Sequence, residues 1–96
     1  MEVSFSYRIA VATYRALIGN VDKSVRVISI DWSETHYYIR VYMDREPTGE
    51  DNEVYSIVTS EIAADFPDMI DFKEELFFSD KPLDMLENLQ EIVLLR

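Results

Sequence analysis

The apolar positions of the chain change their spacing along its length, and each change marks a boundary between structural elements. From Val3 to Ile18 they form two adjacent rows three and four residues apart, which predicts a helix with a wide buried face. One row holds Val3, Tyr7, Ala10, Tyr14 and Leu17, and the other holds Phe5, Ile9, Ala12 and Ala16. Gly19 and Asn20 then provide a left-handed stop. We expect this first helix to be deeply buried.

Two strands are expected next, joined by a turn at Ser33-Glu34-Thr35 into an antiparallel hairpin. Ser24–Trp32 is rich in β-branched residues, which favours a strand that is buried on much of both faces. His36–Asp44 alternates strictly between apolar and polar positions. One side carries Tyr37, Ile39, Val41 and Met43, and the other carries His36, Tyr38, Arg40, Tyr42 and Asp44. That second, aromatic side is either a protein interface or covered by the chain's own tail.

The clearest helix signal lies in the middle of the chain, from Thr48 to Pro67. Thr48 and Asp51 have the spacing of a capping box, and Pro67 ends the helical geometry. An apolar stripe at helical spacing includes Val54, Ile57, Val58 and Ile62, and charged residues occupy the opposite face.

Two more strands are predicted after this helix. Asp71–Ser79 is the third strand, although Glu74 falls among its apolar positions, which a bulge or an edge position would explain. Residues Leu83–Leu89 form a short helical turn, and Glu91–Arg96 returns as a fourth strand. A longer terminal helix that starts at Pro82 is the competing interpretation.

The predicted order is α-β-β-α-β-β, as two units of one helix and one hairpin. The fold class is α+β, with an antiparallel sheet of about four strands and two helices packed mainly on one face. We expect residues 1–96 to form a single domain, because a chain of this length buries roughly 65% of its unfolded surface.

Composition narrows the range of partners. The chain has no cysteine and no basic-then-apolar leader at its start, so the cytoplasm is the expected compartment. Its net charge is −10, which disfavours direct binding to nucleic acid or to anionic membranes. The charge is uneven: residues 1–45 carry six basic and five acidic side chains, whereas residues 46–96 carry three basic and fourteen acidic ones. A basic protein partner would fit the second half.

The sequence contains no catalytic signature, and we predict that the protein is not an enzyme and uses no cofactor. His36 is the only histidine, and two glycines are too few for a phosphate-binding loop. Asp65, Asp68 and Asp71 recur every three residues, but they lack the spacing of a calcium loop. A metal-dependent hydrolase built on these three carboxylates is the enzymatic alternative.

Three stretches carry a resemblance to a known family: SYRIAVATYRAL, VRVISIDWSETHYYIRVYMDREPTGED and FFSDKPLDMLENLQEIVLL. With them, the whole chain resembles the small acidic immunity proteins of bacterial contact-dependent growth inhibition and related polymorphic toxin systems. The resemblance implies an antidote that binds the C-terminal toxin domain of a sister cell's effector. Such a toxin is commonly a nuclease acting on transfer RNA or DNA, and the antidote blocks its active site or substrate entry.

The surface argument supplies candidate binding residues, because a nuclease presents a basic cleft that carboxylates can fill. The acidic candidates are Glu50, Asp51, Glu53, Glu61, Asp65, Glu74 and Glu75, and the aromatic anchors are Tyr38, Tyr42 and Tyr55. The alternative function is an acidic nucleic-acid mimic, or another adaptor, that inhibits a DNA- or RNA-binding enzyme. Either a monomer or a homodimer, formed through the aromatic sheet face or the last strand, is compatible with both functions.

Overall fold

The structure is a computed structural model, which describes residues 4–95. Its elements are α1 (Phe5–Leu17), β1 (Val25–Trp32), β2 (His36–Met43), α2 (Gly49–Asp65), β3 (Asp71–Phe78) and β4 (Glu91–Leu95). The predicted order of helices and strands is therefore confirmed. The predicted element ends at Val3 and Arg96 lie outside the described residues. Between β3 and β4 the only helical segment is a 3₁₀ turn at Leu83–Met85, so the longer helix from Pro82 is wrong.

Local sequence signals explain where both α-helices begin and end. Ser4 caps α1 by accepting a hydrogen bond from the Tyr7 amide, and Gly19 follows the helix at a φ of 78°, which only glycine adopts without strain. In α2, Thr48 and Asp51 form the expected capping box, and the helix ends two residues before Pro67. The helix boundaries therefore follow from interactions within a few residues.

The four strands form one sheet in the order β3-β2-β1-β4. β1 pairs antiparallel with both β2 and β4, whereas β3 pairs parallel with β2. The sheet is thus mixed and mostly antiparallel, with α1 and α2 on one side. β3 and β4 do not form the hairpin that the sequence suggested, because they lie at opposite edges of the sheet. The apolar strands β1 and β2 occupy the two central positions, where each pairs with a neighbouring strand along both of its edges.

The chain between β3 and β4 crosses the face of the sheet that lies away from the helices, which we call the outer face. The hydroxyl of Ser29 accepts a hydrogen bond from the Leu89 amide at 2.9 Å. The Glu87 carbonyl accepts hydrogen bonds from the Arg40 guanidinium and the Tyr42 hydroxyl, both at 2.8 Å. This segment, residues 79–90, is called the tail below. It partly covers the outer face, which is one of the two alternatives left open by the sequence.

The core lies between the sheet and the helices. The inward side of β2 is fully buried, as predicted, and its members are Tyr37, Ile39, Val41 and Met43. Three residues of the predicted apolar helix faces are instead exposed: Tyr7, Tyr14 and Ile57 are 60%, 53% and 56% accessible. The prediction of a deeply buried α1 is wrong for these two tyrosines. Since the helices form a single layer with no second layer above it, neither helix can bury the whole width of its apolar face.

Candidate partner-binding surface

The ten candidate residues are distributed over two opposite surfaces and the interior. Four lie on the solvent side of α2, namely Glu50, Glu53, Glu61 and Asp65. Three lie on the outer face of the sheet, namely Tyr38, Tyr42 and Glu75. The remaining three point into the fold, namely Asp51, Tyr55 and Glu74. No single surface therefore holds all ten side chains, since the sheet separates the first group from the second.

Asp51 is a structural residue in this arrangement, because its side chain is only 12% accessible and holds the start of α2. It accepts hydrogen bonds from the Thr48 amide at 2.8 Å and from the Arg45 guanidinium at 2.6 and 3.1 Å. The hydrogen bonds from Arg45, followed by those from Thr48, hold the pKa of Asp51 far below its usual range. Arg45 also contacts Asp22 at 3.0 Å, so it links the β1 side of the molecule to α2.

Tyr55 and Glu74 are likewise engaged within the fold. Tyr55 is 2% accessible and belongs to the core between α2 and the sheet. Glu74 lies on the helix side of β3, where it accepts a hydrogen bond from the Thr59 hydroxyl at 2.7 Å. The edge position of β3 resolves the misfit of Glu74, since an edge strand leaves room for a charged side chain beside the core.

The outer-face candidates belong to a network that crosses β2 and β3. Arg40 pairs with Glu75 at 3.1 Å, and the Tyr38 hydroxyl donates to Asp71 at 2.5 Å. This hydrogen bond to Asp71 is the main reason why the pKa of Tyr38 is raised. Tyr42 donates to the chain tail, as described above. These side chains position the sheet and the tail, so their polar groups already have partners inside the molecule.

The four carboxylates on the solvent side of α2 form a different kind of surface. Together with Ile57 they make up the acidic stripe, defined here as Glu50, Glu53, Ile57, Glu61 and Asp65. All five residues are exposed, and none of the four carboxylates forms an ion pair within residues 4–95. At about 1.5 Å per residue the stripe is roughly 22 Å long. α2 has no basic residue, so nothing on the helix offsets this charge.

Sequence reasoning missed the exposed surface of α1, which lies beside the acidic stripe. Arg8 lies 5.0 Å from the ring of Phe66, the residue that follows α2. Tyr7, Arg8 and Arg15 line an open cavity of about 410 Å³ between the two helices, and Asp65 lines its other side. Tyrosine and arginine are enriched among energetically important interface residues. One sequence feature could have indicated this surface: Arg8 and Arg15 lie seven residues apart on α1, and each follows a tyrosine that helical spacing had assigned to the core.

Comparison with protein families identifies the chain. A family model described as MafI2 immunity protein matches residues 7–96, which includes α1 except for its first two residues, all of α2 and the whole sheet. The chain belongs to the MafI2 immunity protein family. The resemblance to immunity proteins of polymorphic toxin systems is thereby confirmed. No curated protein matches this immunity protein.

Family membership supports an antidote role for this immunity protein and implies that its partner is a toxin protein. No helix within residues 4–95 has both the length and the apolar character required to cross a membrane. The same part of the chain holds no group of three or more histidine, cysteine, aspartate or glutamate side chains placed to bind a metal ion.

Proposed function

We propose that this immunity protein neutralises a nuclease toxin by laying the acidic stripe of α2 over the toxin's basic substrate cleft. One observation carries the proposal: four exposed carboxylates, without ion-pair partners in the described chain, share one face of a helix that has no basic residue. A nuclease cleft must be positively charged to bind phosphates, so it offers the complementary surface. The inhibitor would act by occupying the cleft, with no chemical step of its own.

Charge and apolar contact have separate roles in this proposal. Each solvent-exposed ion pair contributes only about 0–1 kcal/mol, so the four carboxylates cannot supply the affinity alone. Complementary charge chiefly accelerates encounter, by roughly 10- to 1,000-fold at low ionic strength. Ile57, which is 56% accessible in the middle of the stripe, offers an apolar contact that ion pairs then surround. Tyr7, which is 60% accessible beside the stripe on α1, extends the apolar part of the same surface.

The experiment compares two variants that change the net charge equally at different places. The test variant carries Glu50→Lys, Glu53→Lys and Glu61→Lys on the acidic stripe. The control variant carries Asp80→Lys, Asp84→Lys and Glu87→Lys, whose side chains are also exposed but lie on the tail. Both variants have a formal net charge of −4 in place of −10, so any difference between them reports the location of the charge.

Association with the cognate toxin domain is then measured at low and high salt. We expect the test variant to associate at least tenfold more slowly than the control variant at low salt, and the gap to shrink at high salt because ions screen the attraction. Both variants should stay folded, and the test variant should melt a few degrees lower because a lysine replaces Glu50 in the first turn of α2, where the helix dipole favours negative charge. Equal association rates for the two variants would place the binding surface away from α2.

A titration of toxin activity tests the claim that inhibition is by binding alone. When the toxin is held well above the dissociation constant of the complex, its activity should fall linearly with added immunity protein. It should reach zero at one equivalent if one molecule covers one cleft. Complete inactivation at a small fraction of one equivalent would require turnover and would contradict the proposal.

A further inference from the structure

β3 has a free edge that differs from the other edge of the sheet. It pairs with β2 over eight residues, from Asp71 to Phe78, with no irregularity in register. β4, at the opposite edge, has five residues, and its pairing with β1 shifts register. Bulges bend an edge strand and discourage further pairing. β3 is therefore the longer and more regular template for an added strand.

The hydrogen bonds at the two ends of β3 show which of its amides face outward. The Asp71 amide donates to Thr35 at 3.2 Å, and the Ser79 amide donates to Met43 at 3.0 Å, both towards β2. Successive amides of a strand alternate in direction, and the register of β3 is unbroken between these two residues. The odd-numbered amides therefore bond to β2. The outward set consists of Phe72, Glu74, Leu76 and Phe78.

An open cavity lined by both apolar and polar side chains lies at the carboxyl end of β3, between the outer face of the sheet and the segment that follows β3. Phe77, Phe78 and Met85 are 41%, 44% and 63% accessible, and all three line one cavity of about 430 Å³. Three large apolar side chains gathered at one opening are unusual on a surface unless they contact a partner. A cavity of this size has room for an apolar side chain from an added strand.

Charge indicates which strand would fit. β3 carries Asp71, Glu74 and Glu75 against one lysine, and Arg40 of β2 pairs with Glu75 at 3.1 Å, so the strand with this partner remains net acidic. α2 packs beside β3 through the bond between Thr59 and Glu74. A second copy of this chain would bring another acidic edge to the first, which the net charge of −10 opposes. A basic strand would instead be attracted by the carboxylates of β3 and by those of the neighbouring acidic stripe. The charges on β3 thus disfavour self-pairing and favour a basic partner.

We infer that the toxin contributes a basic strand that pairs with the free edge of β3 and places an apolar side chain in the cavity lined by Phe77, Phe78 and Met85. This recognition extends the sheet to five strands, and it rests on the proposed function in that the partner is a basic toxin. Main-chain hydrogen bonds supply part of the affinity, while the cavity selects the anchoring side chain.

Amide hydrogen exchange measured by NMR tests the strand pairing directly. In the free protein, the amides of Phe72, Glu74, Leu76 and Phe78 should exchange much faster than those of Lys73, Glu75 and Phe77. Addition of the cognate toxin domain should slow the outward set by at least 100-fold and leave the inward set largely unchanged. A tight complex in which the outward amides exchange as in the free protein would overturn the inference. Concentration-dependent protection without toxin would overturn it in favour of a second copy.

Two substitutions at one position separate the backbone from the side chain. Phe78→Ala removes the exposed ring, whereas Phe78→Pro removes the ring and the outward amide without loss of a bond to β2. We expect Phe78→Pro to weaken toxin binding at least tenfold more than Phe78→Ala, with melting temperatures within a few degrees of each other. Equal affinities would contradict the strand pairing.

The two proposals can fail separately. Suppose that the outward amides stay unprotected in the complex and that the test variant on the acidic stripe binds the toxin more weakly than its control. The strand pairing then fails, and the proposed role of α2 stands. Suppose instead that the outward amides become protected and that the test variant binds the toxin as fast and as tightly as its control. The proposed role of α2 then fails, and the strand pairing stands. If the cognate toxin domain does not bind, both are refuted.

Discussion

The substitution Asp51→Ala tests the role of this carboxylate. Its contacts indicate that it stabilises the fold, whereas the sequence had suggested that it binds the toxin. It removes the acceptor for the Thr48 amide and hydroxyl, at 2.8 and 3.0 Å, and for two nitrogen atoms of Arg45. The Thr48 amide then loses its partner in the capping box, whereas the Thr48 hydroxyl still accepts from the amide of residue 51 at 3.2 Å. Arg45 keeps its contact with Asp22 at 3.0 Å, so its charge is not left alone.

The expected cost follows from these contacts. Loss of the reciprocal half of the capping box removes one backbone-to-side-chain hydrogen bond and costs about 0.5–1.5 kcal/mol. A hydrogen bond to a charged group contributes about 1.5–3 kcal/mol when it is well shielded, and we take the lower part of that range because the Arg45 side chain is 39% accessible. A total of about 2 kcal/mol lowers the melting temperature of a domain of this size by about 8–16 °C. Glu50→Ala, an exposed neighbour without these bonds, is the matched control.

The dependence on pH gives a second readout. The pKa of Asp51 is lowered in the folded state, so its ionised form stabilises the fold above the ordinary aspartate pKa of about 4 and loses this effect as the pH falls below it. Urea denaturation followed by circular dichroism should therefore show a large difference between the natural protein and Asp51→Ala at pH 7. The difference should shrink towards pH 2.5. A melting temperature equal to that of Glu50→Ala at pH 7 would refute the structural role.

Further predictions concern the core and one turn. Ile39→Ala removes a side chain with no accessible surface and should cost about 2–5 kcal/mol, whereas Ile57→Ala on the exposed stripe should leave the melting temperature nearly unchanged. Thr13→Val deletes the 2.8 Å partner of the buried Tyr37 hydroxyl and should cost about 1–3 kcal/mol in urea denaturation; no loss would mean that another group satisfies the hydroxyl. Gly19→Ala forces a φ of 78° on a residue with a side chain and should cost about 1 kcal/mol by thermal denaturation, so a stabilised variant would contradict the helix stop.

Patterns within a few residues predicted the elements well, because the interactions that decide them are local. The capping box at Thr48, the stop at Gly19 and the strict alternation in β2 each depend on neighbours in sequence. Burial was harder to predict. Tyr7 has helical spacing typical of a core residue, yet it lines the open cavity between the two helices and is 60% accessible.

The candidate binding residues show the same division. The acidic character of α2 was evident from the sequence, and four of its five predicted carboxylates are exposed. Asp51 differs from the others because Arg45, six residues earlier, folds back onto it from the end of β2. Tyr38 and Tyr42 alternate outward as predicted, but partners distant in sequence, Asp71 and Glu87, occupy their hydroxyl groups. Such partners depend on pairings that no local pattern specifies.

The sequence by itself determined the order of the first five helices and strands, their approximate ends and the strongly acidic second half, because periodicity, caps and charge are properties of neighbouring residues. It left open whether a strand or a longer helix follows Pro82. Only the tertiary structure decided that β3 pairs parallel with β2 at an edge and that the following segment crosses the outer face to place β4 at the far edge. The physical reason is that strand partners and solvent exposure are set by competition among distant segments for the same apolar surfaces. That competition left one acidic helix face and one regular strand edge open on this immunity protein.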